Sequence, residues 1–191
     1  MRHVPAGAKR ALDVGCGTGE FSCRVAERVD HVDAIDRYAP AIDVARSRFS
    51  DVKNVKFAVC DLFDFEGGDY DFISCIASLH HMPLEAALVR LRDALAPGGV
   101  LAVLTIPAFG GIRPVPFLAF PMNVLMGAAY AVRRGIGSTG HVRSGPTTYD
   151  VPILDPDLTD REFKRRTAEI LPTRSVKRLF FWRNAMFYTK R

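Results

Sequence analysis

Through the first hundred positions the apolar residues alternate between two spacings. RALDVG (10–15) is a short apolar run closed by glycine, and in GEFSCRVAERV after it Phe21, Val25 and Val29 recur every four residues; this predicts a strand, a turn and a helix. HVDAID (31–36), VKFAVC (55–60) and DFISCIA (71–77) read as three more strands, with APAIDVARSRF as a second helix after the first of them. In PLEAALVRLRDALAPGG, Leu84, Leu88, Leu91 and Leu95 share one helical face, stopped by Pro97 and Gly98, and VLAVLTI (100–106) is a fifth strand. Strands separated by helices pair in parallel, so the pattern implies an α/β sheet.

After Ile106 the alternation stops in a region rich in Pro and Gly. It resumes in DLTDREFKRRTAEILP, where Thr159 and Glu162 form a capping box and Leu158 with Phe163 a hydrophobic staple. A helix from about 160 to 171, before Pro172, is expected. SVKRLFFWRNAMFYTKR holds two β-rich runs around Arg183 and Asn184, which predicts an antiparallel hairpin closing the sheet.

At 191 residues, 48% apolar and 25% charged, the chain suits one globular domain. Its expected parts are 1–108, a binding half, 109–156, an apolar or lid insertion, and 157–191, the closing helix and hairpin. Cys16, Cys23, Cys60 and Cys75 lack the paired spacing of a zinc site and read as reduced, buried thiols, with no metal expected. No charged-then-apolar leader opens the sequence, so a cytoplasmic location is expected.

Between the fifth strand and the last helix lies PFLAFPMNVLMGAAYAVRR, from Pro116 to Arg134, long enough to suggest a membrane span. Pro116 and Pro121 break its helical hydrogen bonding, Asn123 and Gly127 weaken its middle, and a span would tear the fifth strand from the closing hairpin. No transmembrane span is expected. From Met122 onward a short lid helix lining an apolar pocket is expected instead. Peripheral membrane contact through Phe117, Phe120 and Arg133 or Arg134 is the rival reading, with core packing as a third. GSTGHVRSGPTTYD, with His141, Arg143, Tyr149 and Asp150, reads as a glycine-rich lid loop.

Charge changes the picture only modestly. Residues 1–108 carry 12 Lys and Arg against 15 Asp and Glu, whereas 109–191 carry 14 against 6. A solvated basic face is the ordinary explanation. The basic residues are scattered along helix and hairpin, so nucleic acid is not expected as the substrate.

The chemistry concentrates in DVGCGTG, Asp13 to Gly19, where a strand's carboxyl end meets a helix start. Glycines there let backbone pass close to a ligand, and the helix amino end offers N–H donors. Nicotinamide and flavin loops need a third glycine or alanine at position 20, which here is Glu20, and no Lys-Ser/Thr pair follows to make a P-loop. Asp36 closes the second strand 17 residues beyond Gly19, about the distance over which a βαβ unit returns to a ribose, and Asp61 follows the third. His80 and His81, in SLHHMP, follow the fourth.

In these motifs the chain resembles the class I S-adenosylmethionine-dependent methyltransferases of small-molecule type, over roughly residues 10 to 107. Their first motif, an acid then alternating glycines, matches DVGCGTG, and LRDALAPGGVLAV matches their helix, turn and fifth strand. The resemblance implies a doubly wound, Rossmann-like, mostly parallel seven-stranded sheet of order 3-2-1-4-5-7-6 with strand 7 antiparallel. It also implies S-adenosyl-L-methionine as cofactor, held by Asp13, Gly15, Cys16, Gly17, Gly19, Asp36, Arg37, Asp61 and Leu62. Asp36 would bind the ribose hydroxyls and Asp61 the adenine amine, with Leu62 and Tyr38 flanking the ring and Asp13 orienting the loop. His80 and His81 match the paired histidines of many such enzymes and are the candidate catalytic residues, an imidazole there accepting a phenol or carboxyl proton. The expected activity is methylation of a hydrophobic small molecule. An RNA methyltransferase, suggested by the basic tail with Phe180, Phe181, Trp182 and Arg183, is the alternative. A non-catalytic cofactor-binding subunit is the third reading, since the family usually carries one or two helices before its first strand.

Overall fold

Seven strands join one sheet, in the order β3-β2-β1-β4-β5-β7-β6. They are β1 (Arg10–Val14), β2 (His31–Asp36), β3 (Val55–Val59), β4 (Tyr70–Ile76), β5 (Leu95–Thr105), β6 (Ser175–Arg178) and β7 (Asn184–Thr189). The helices are α1 (Glu20–Ala26), α2 (Ala39–Arg48), α3 (Leu84–Ala94) and α4 (Asp160–Ile170), with a 3-10 turn at Leu79–His81. This computed structural model describes residues 1–105, 158–179 and 183–191. The expected lid helix from Met122, the lid loop and the aromatics at 180–182 lie outside the described residues.

The first five strands run parallel, and β7 pairs antiparallel with both β5 and β6. Order and direction are those the motif resemblance implies. β1 is central because it pairs with β2 on one side and β4 on the other, so the chain reverses its winding between β1 and β4. In such a sheet the crevice outside the carboxyl ends of the strands at that reversal is where ligands bind.

Side chains alternate across the sheet to make two cores. One face buries Leu12, Ile73, Leu101 and Met186 under α3 and α4, through Leu88 and Leu91 of α3 and Phe163 of α4. The other buries Ala11, Val32, Ala34 and Phe72 under α1 and α2, through Val25, Ile42 and Ala45. The Thr159 hydroxyl accepts the Glu162 N–H at 3.3 Å while the Thr159 N–H donates to Glu162 Oε2 at 3.1 Å, so the capping box predicted for α4 is formed.

Three boundaries differ from the sequence reading. α1 ends at Ala26, and Val29, expected on its apolar face, is buried in the turn beyond it. α3 ends at Ala94, because Leu95 pairs with Tyr70 and starts β5; Leu95 is buried through the sheet, not through the helix. The irregularity between the Tyr70 and Phe72 pairings takes up Pro97, Gly98 and Gly99, with Gly98 at φ +79. The hairpin connection falls before Asn184, which is already in β7 opposite Arg178. Of the four thiols only Cys75 is buried; Cys16, Cys23 and Cys60 are half-buried, and all are free.

Candidate functional site

A cleft of about 410 Å³ opens at the carboxyl ends of β1 to β4, within the range of small-molecule sites. Val14, Gly15 and Gly17 form its wall from β1, Asp36, Arg37 and Tyr38 from β2, Cys60, Asp61 and Leu62 from β3, and Ala77, Ser78, His81 and Met82 from β4. Six of the residues expected to hold a cofactor therefore meet there: Gly15, Gly17, Asp36, Arg37, Asp61 and Leu62.

The glycine loop owes its shape to three left-handed residues, Gly15, Gly17 and Gly19, at φ +71, +53 and +81. Two of them also face close neighbours. A Cβ on Gly15 would overlap the Ser78 side chain, and one on Gly19 would lie 2.6 Å from the Phe57 ring. Gly17 differs: a Cβ there meets nothing within 4 Å and would project into open space. The loop is pinned by the N–H groups of Gly15 and Cys16, which both donate to the Ile35 carbonyl at 2.8 and 3.0 Å.

Asp36 ties this loop to the next one. Its Oδ2 accepts the Gly17 N–H at 2.8 Å and its Oδ1 accepts the Tyr38 N–H at 2.9 Å. Each carboxylate oxygen can accept a second bond, so the side chain orders the cleft wall and keeps capacity for a ligand. Asp61 makes a similar turn, Oδ1 accepting the Phe63 N–H at 3.0 Å.

Asp13 sits behind the wall. It is 2% exposed, and its two oxygens accept from Ser22 at 2.6 Å and Ser74 at 2.7 Å. Burial pushes its carboxyl above the usual range, against the pull of those two hydroxyls. Asp13 thus joins β1, α1 and β4 beneath the loop and is not among the residues lining the cleft. Cys16 and Gly19 also stand off the cleft; Gly19 caps α1, and burial pushes the Cys16 thiol far up.

The two histidines separate in position. Their rings lie 4.1 Å apart at 40°, but only His81 lines the cleft. His81 Nδ1 is buried with no hydrogen-bond partner, and its pKa is lowered from 6.5 by burial first and by the Arg37 charge second, against Asp36. A neutral imidazole with an unengaged ring nitrogen on a cleft can accept a proton or donate a hydrogen bond. Ala77 and Ser78 line the same wall and were not singled out from sequence. The signal for them was present only as small residues at the end of β4, facing the glycines across the winding reversal.

No group of His, Cys, Asp and Glu among the described residues could hold a metal ion, and none of the described helices is long and apolar enough to cross a membrane.

Residues 11–99 match the methyltransferase domain family. An uncharacterized methyltransferase of Mycobacterium tuberculosis is 37% identical over 186 residues, covering 94% of this chain and 86% of that one. A ubiquinone biosynthesis O-methyltransferase of Xylella fastidiosa is 36% identical over 137 residues, 69% of this chain and 52% of the relative. Among solved structures, the N-methyltransferase NodS of Bradyrhizobium japonicum, in complex with S-adenosyl-L-homocysteine, superposes with a TM-score of 0.61 at 16% identity. That match covers 96% of this chain and 78% of NodS. With a family match over residues 11–99, a methyltransferase relative 37% identical over 94% of the chain, and a sheet of order β3-β2-β1-β4-β5-β7-β6, the chain belongs to the methyltransferase family and carries its class I, S-adenosylmethionine-dependent fold.

Proposed function

We propose that this enzyme methylates an apolar small molecule, holding the methyl donor in the cleft at the ends of β1 to β4. The observation that carries the reading is the convergence on one cleft of two acids with spare acceptor capacity, an open glycine and a buried, unengaged imidazole nitrogen. These fit S-adenosylmethionine. The vicinal hydroxyls of its ribose need a carboxylate acceptor, which Asp36 supplies, and its adenine amine needs another, which Asp61 supplies. Leu62, 3% exposed, and Tyr38 offer apolar surface for the ring. Gly17 leaves backbone open to a close ligand, and Arg37, an exposed cation beside Asp36, suits an anionic group.

Bound there, the cofactor supplies a methyl group activated by its sulfonium. This chain's residues align the acceptor, keep water out and take up a proton where the acceptor has one. His81 is the residue for that last task, because its imidazole is neutral near pH 7 and borders the cleft; His80 supports its ring from behind. The apolar sequence from Pro116 to Arg134 suits a hydrophobic acceptor. The similarity to ubiquinone biosynthesis O-methyltransferases, which act within the biosynthesis of a hydrophobic quinone, supports that class.

The test is transfer of labelled methyl from S-adenosylmethionine to a panel of apolar phenols and carboxylic acids, by the parent chain and by folded Phe120→Ser and Met126→Ser variants. Turnover lost in the variants while S-adenosylhomocysteine affinity holds is the expected result. Labelling of RNA and of none of the panel, or equal turnover by the variants, would overturn the apolar-acceptor reading.

A further inference from the structure

Ser78 touches both halves of the cleft. Its hydroxyl donates to the Val14 carbonyl at 2.6 Å, on the last residue of β1 and immediately before the glycine loop. A carbonyl only accepts, so that bond takes the single hydroxyl proton. The Cys75 thiol, 3.0 Å from Ser78 Oγ, must then be the donor between those two. Burial pushes that thiol up to about 12, which keeps it protonated. The Ser78 side chain also fills the space that a Cβ on Gly15 would need. On its other side the Ser78 carbonyl accepts the His81 N–H at 3.1 Å, closing the turn that brings His81 to the cleft. Before it, Ala77 lies at φ 56, a left-handed conformation that disfavours any residue with a Cβ, with its N–H held by the Leu104 carbonyl at 2.7 Å.

One residue therefore links the buried end of β4 and the exit of β1 through its hydroxyl, and the histidine turn through its backbone carbonyl. We propose that Ser78 is a positioning residue that sets the glycine loop against the His81 turn, with the Cys75 thiol orienting its hydroxyl. The inference deepens the methyl-transfer reading of the cleft and rests on it for its consequence in catalysis. The geometry itself is independent of any ligand.

The test begins with the ligand-free protein. Amide exchange at Gly15 and Gly17 and the imidazole titration of His81 are followed by NMR in the parent, in Ser78→Ala, Cys75→Ala and Cys75→Ser, and in the Ser78→Ala/Cys75→Ala double variant. Loss of one hydrogen bond corresponds to a change of about 5- to 10-fold. Loop exchange in Ser78→Ala is expected to quicken by that order, and the His81 titration to move back toward 6.5. Cys75→Ala should produce a smaller change in both, absent on the Ser78→Ala background, and Cys75→Ser should restore both because its hydroxyl replaces the thiol as donor. Should Ser78→Ala fail to fold, the contrast between Cys75→Ala and Cys75→Ser decides. A folded Ser78→Ala that leaves loop and His81 unchanged, or equal behaviour of the two Cys75 variants, overturns the proposal. Calorimetry with S-adenosylhomocysteine then separates the two levels: a parent chain that does not bind it sinks the methyl-transfer reading, while the NMR coupling stands or falls alone.

Discussion

At the scale of single residues, two side chains of the cleft carry the proposed binding and chemistry. Both Asp36 oxygens already fasten backbone N–H groups, so on the proposed reading its removal would cost a charge-assisted ribose contact as well as loop order. Asp36→Ala is expected to weaken S-adenosylhomocysteine binding by about 1.5 to 3 kcal/mol. Calorimetry measures it, and unchanged affinity in a folded variant would take Asp36 out of the site. For His81 the sign follows from its lowered pKa. The neutral form is favoured in the folded chain, so its contribution to stability is present above 6.5 and is lost as pH falls through the lower folded value. A base acting through the neutral ring should lose kcat/KM over that same acid interval. His81→Gln should abolish this acid limb; a purely structural histidine would leave the shape of the profile intact and move only Tm.

At the scale of elements, the strand–loop–helix unit of β1 and α1 places its glycines in unlike surroundings. Gly19 caps α1 against Phe57 and Ala45, whereas Gly17 faces open space. Placing alanine at either costs about 1 to 2 kcal/mol for the left-handed backbone alone. Gly19→Ala must in addition displace the Phe57 ring, so it should lower Tm further than Gly17→Ala. Gly17→Ala should instead show the larger loss of S-adenosylhomocysteine affinity, its methyl group intruding on the cleft. Thermal melts and calorimetry on the pair check both halves, and the reverse ordering would contradict the assignment of Gly17 to the ligand. On the far face α3 and α4 take no part in the cleft wall except through the turn that precedes α3. Their buried Leu88, Leu91 and Phe163 hold the sheet under it.

At the scale of the whole molecule, charge and topology separate. The half that holds the cleft carries a slight excess of acid, and the exposed basic residues of the closing part, Arg161, Arg165, Arg178 and Arg183 among them, are scattered along helix and hairpin. At the carboxyl ends of the strands Asp36 and Asp61 line the cleft together with Arg37. Binding to mixed RNA should accordingly be weak at physiological salt. A filter-binding titration that finds tight association falling steeply with salt, with methyl transfer to the RNA, would make nucleic acid the acceptor.

Much of the architecture was written in local patterns. The five parallel strands, the glycine loop, Asp36 and Asp61 at strand ends and the Thr159 capping box each depend on neighbours within a few residues, and the structure has them in place. The closing hairpin was legible too, though its turn lies upstream of where composition put it. What sequence left open depends on partners far along the chain. Leu95 had the spacing of a helical residue, and pairing with Tyr70 drew it into β5. Asp13 is expected to orient the loop, but its partners, the hydroxyls of Ser22 on α1 and Ser74 on β4, come only from the packing of those elements. His80 and His81 are adjacent and alike in sequence, and only the turn held by Ser78 assigns one of them to the cleft. Periodicity and motif spacing act through local conformational preference and so determined the elements and their order. Which side chain meets which is settled by burial and hydrogen bonding between residues 61 and 64 positions apart, as where Ser74 meets Asp13 and Ser78 meets Val14, and that only the tertiary structure decided.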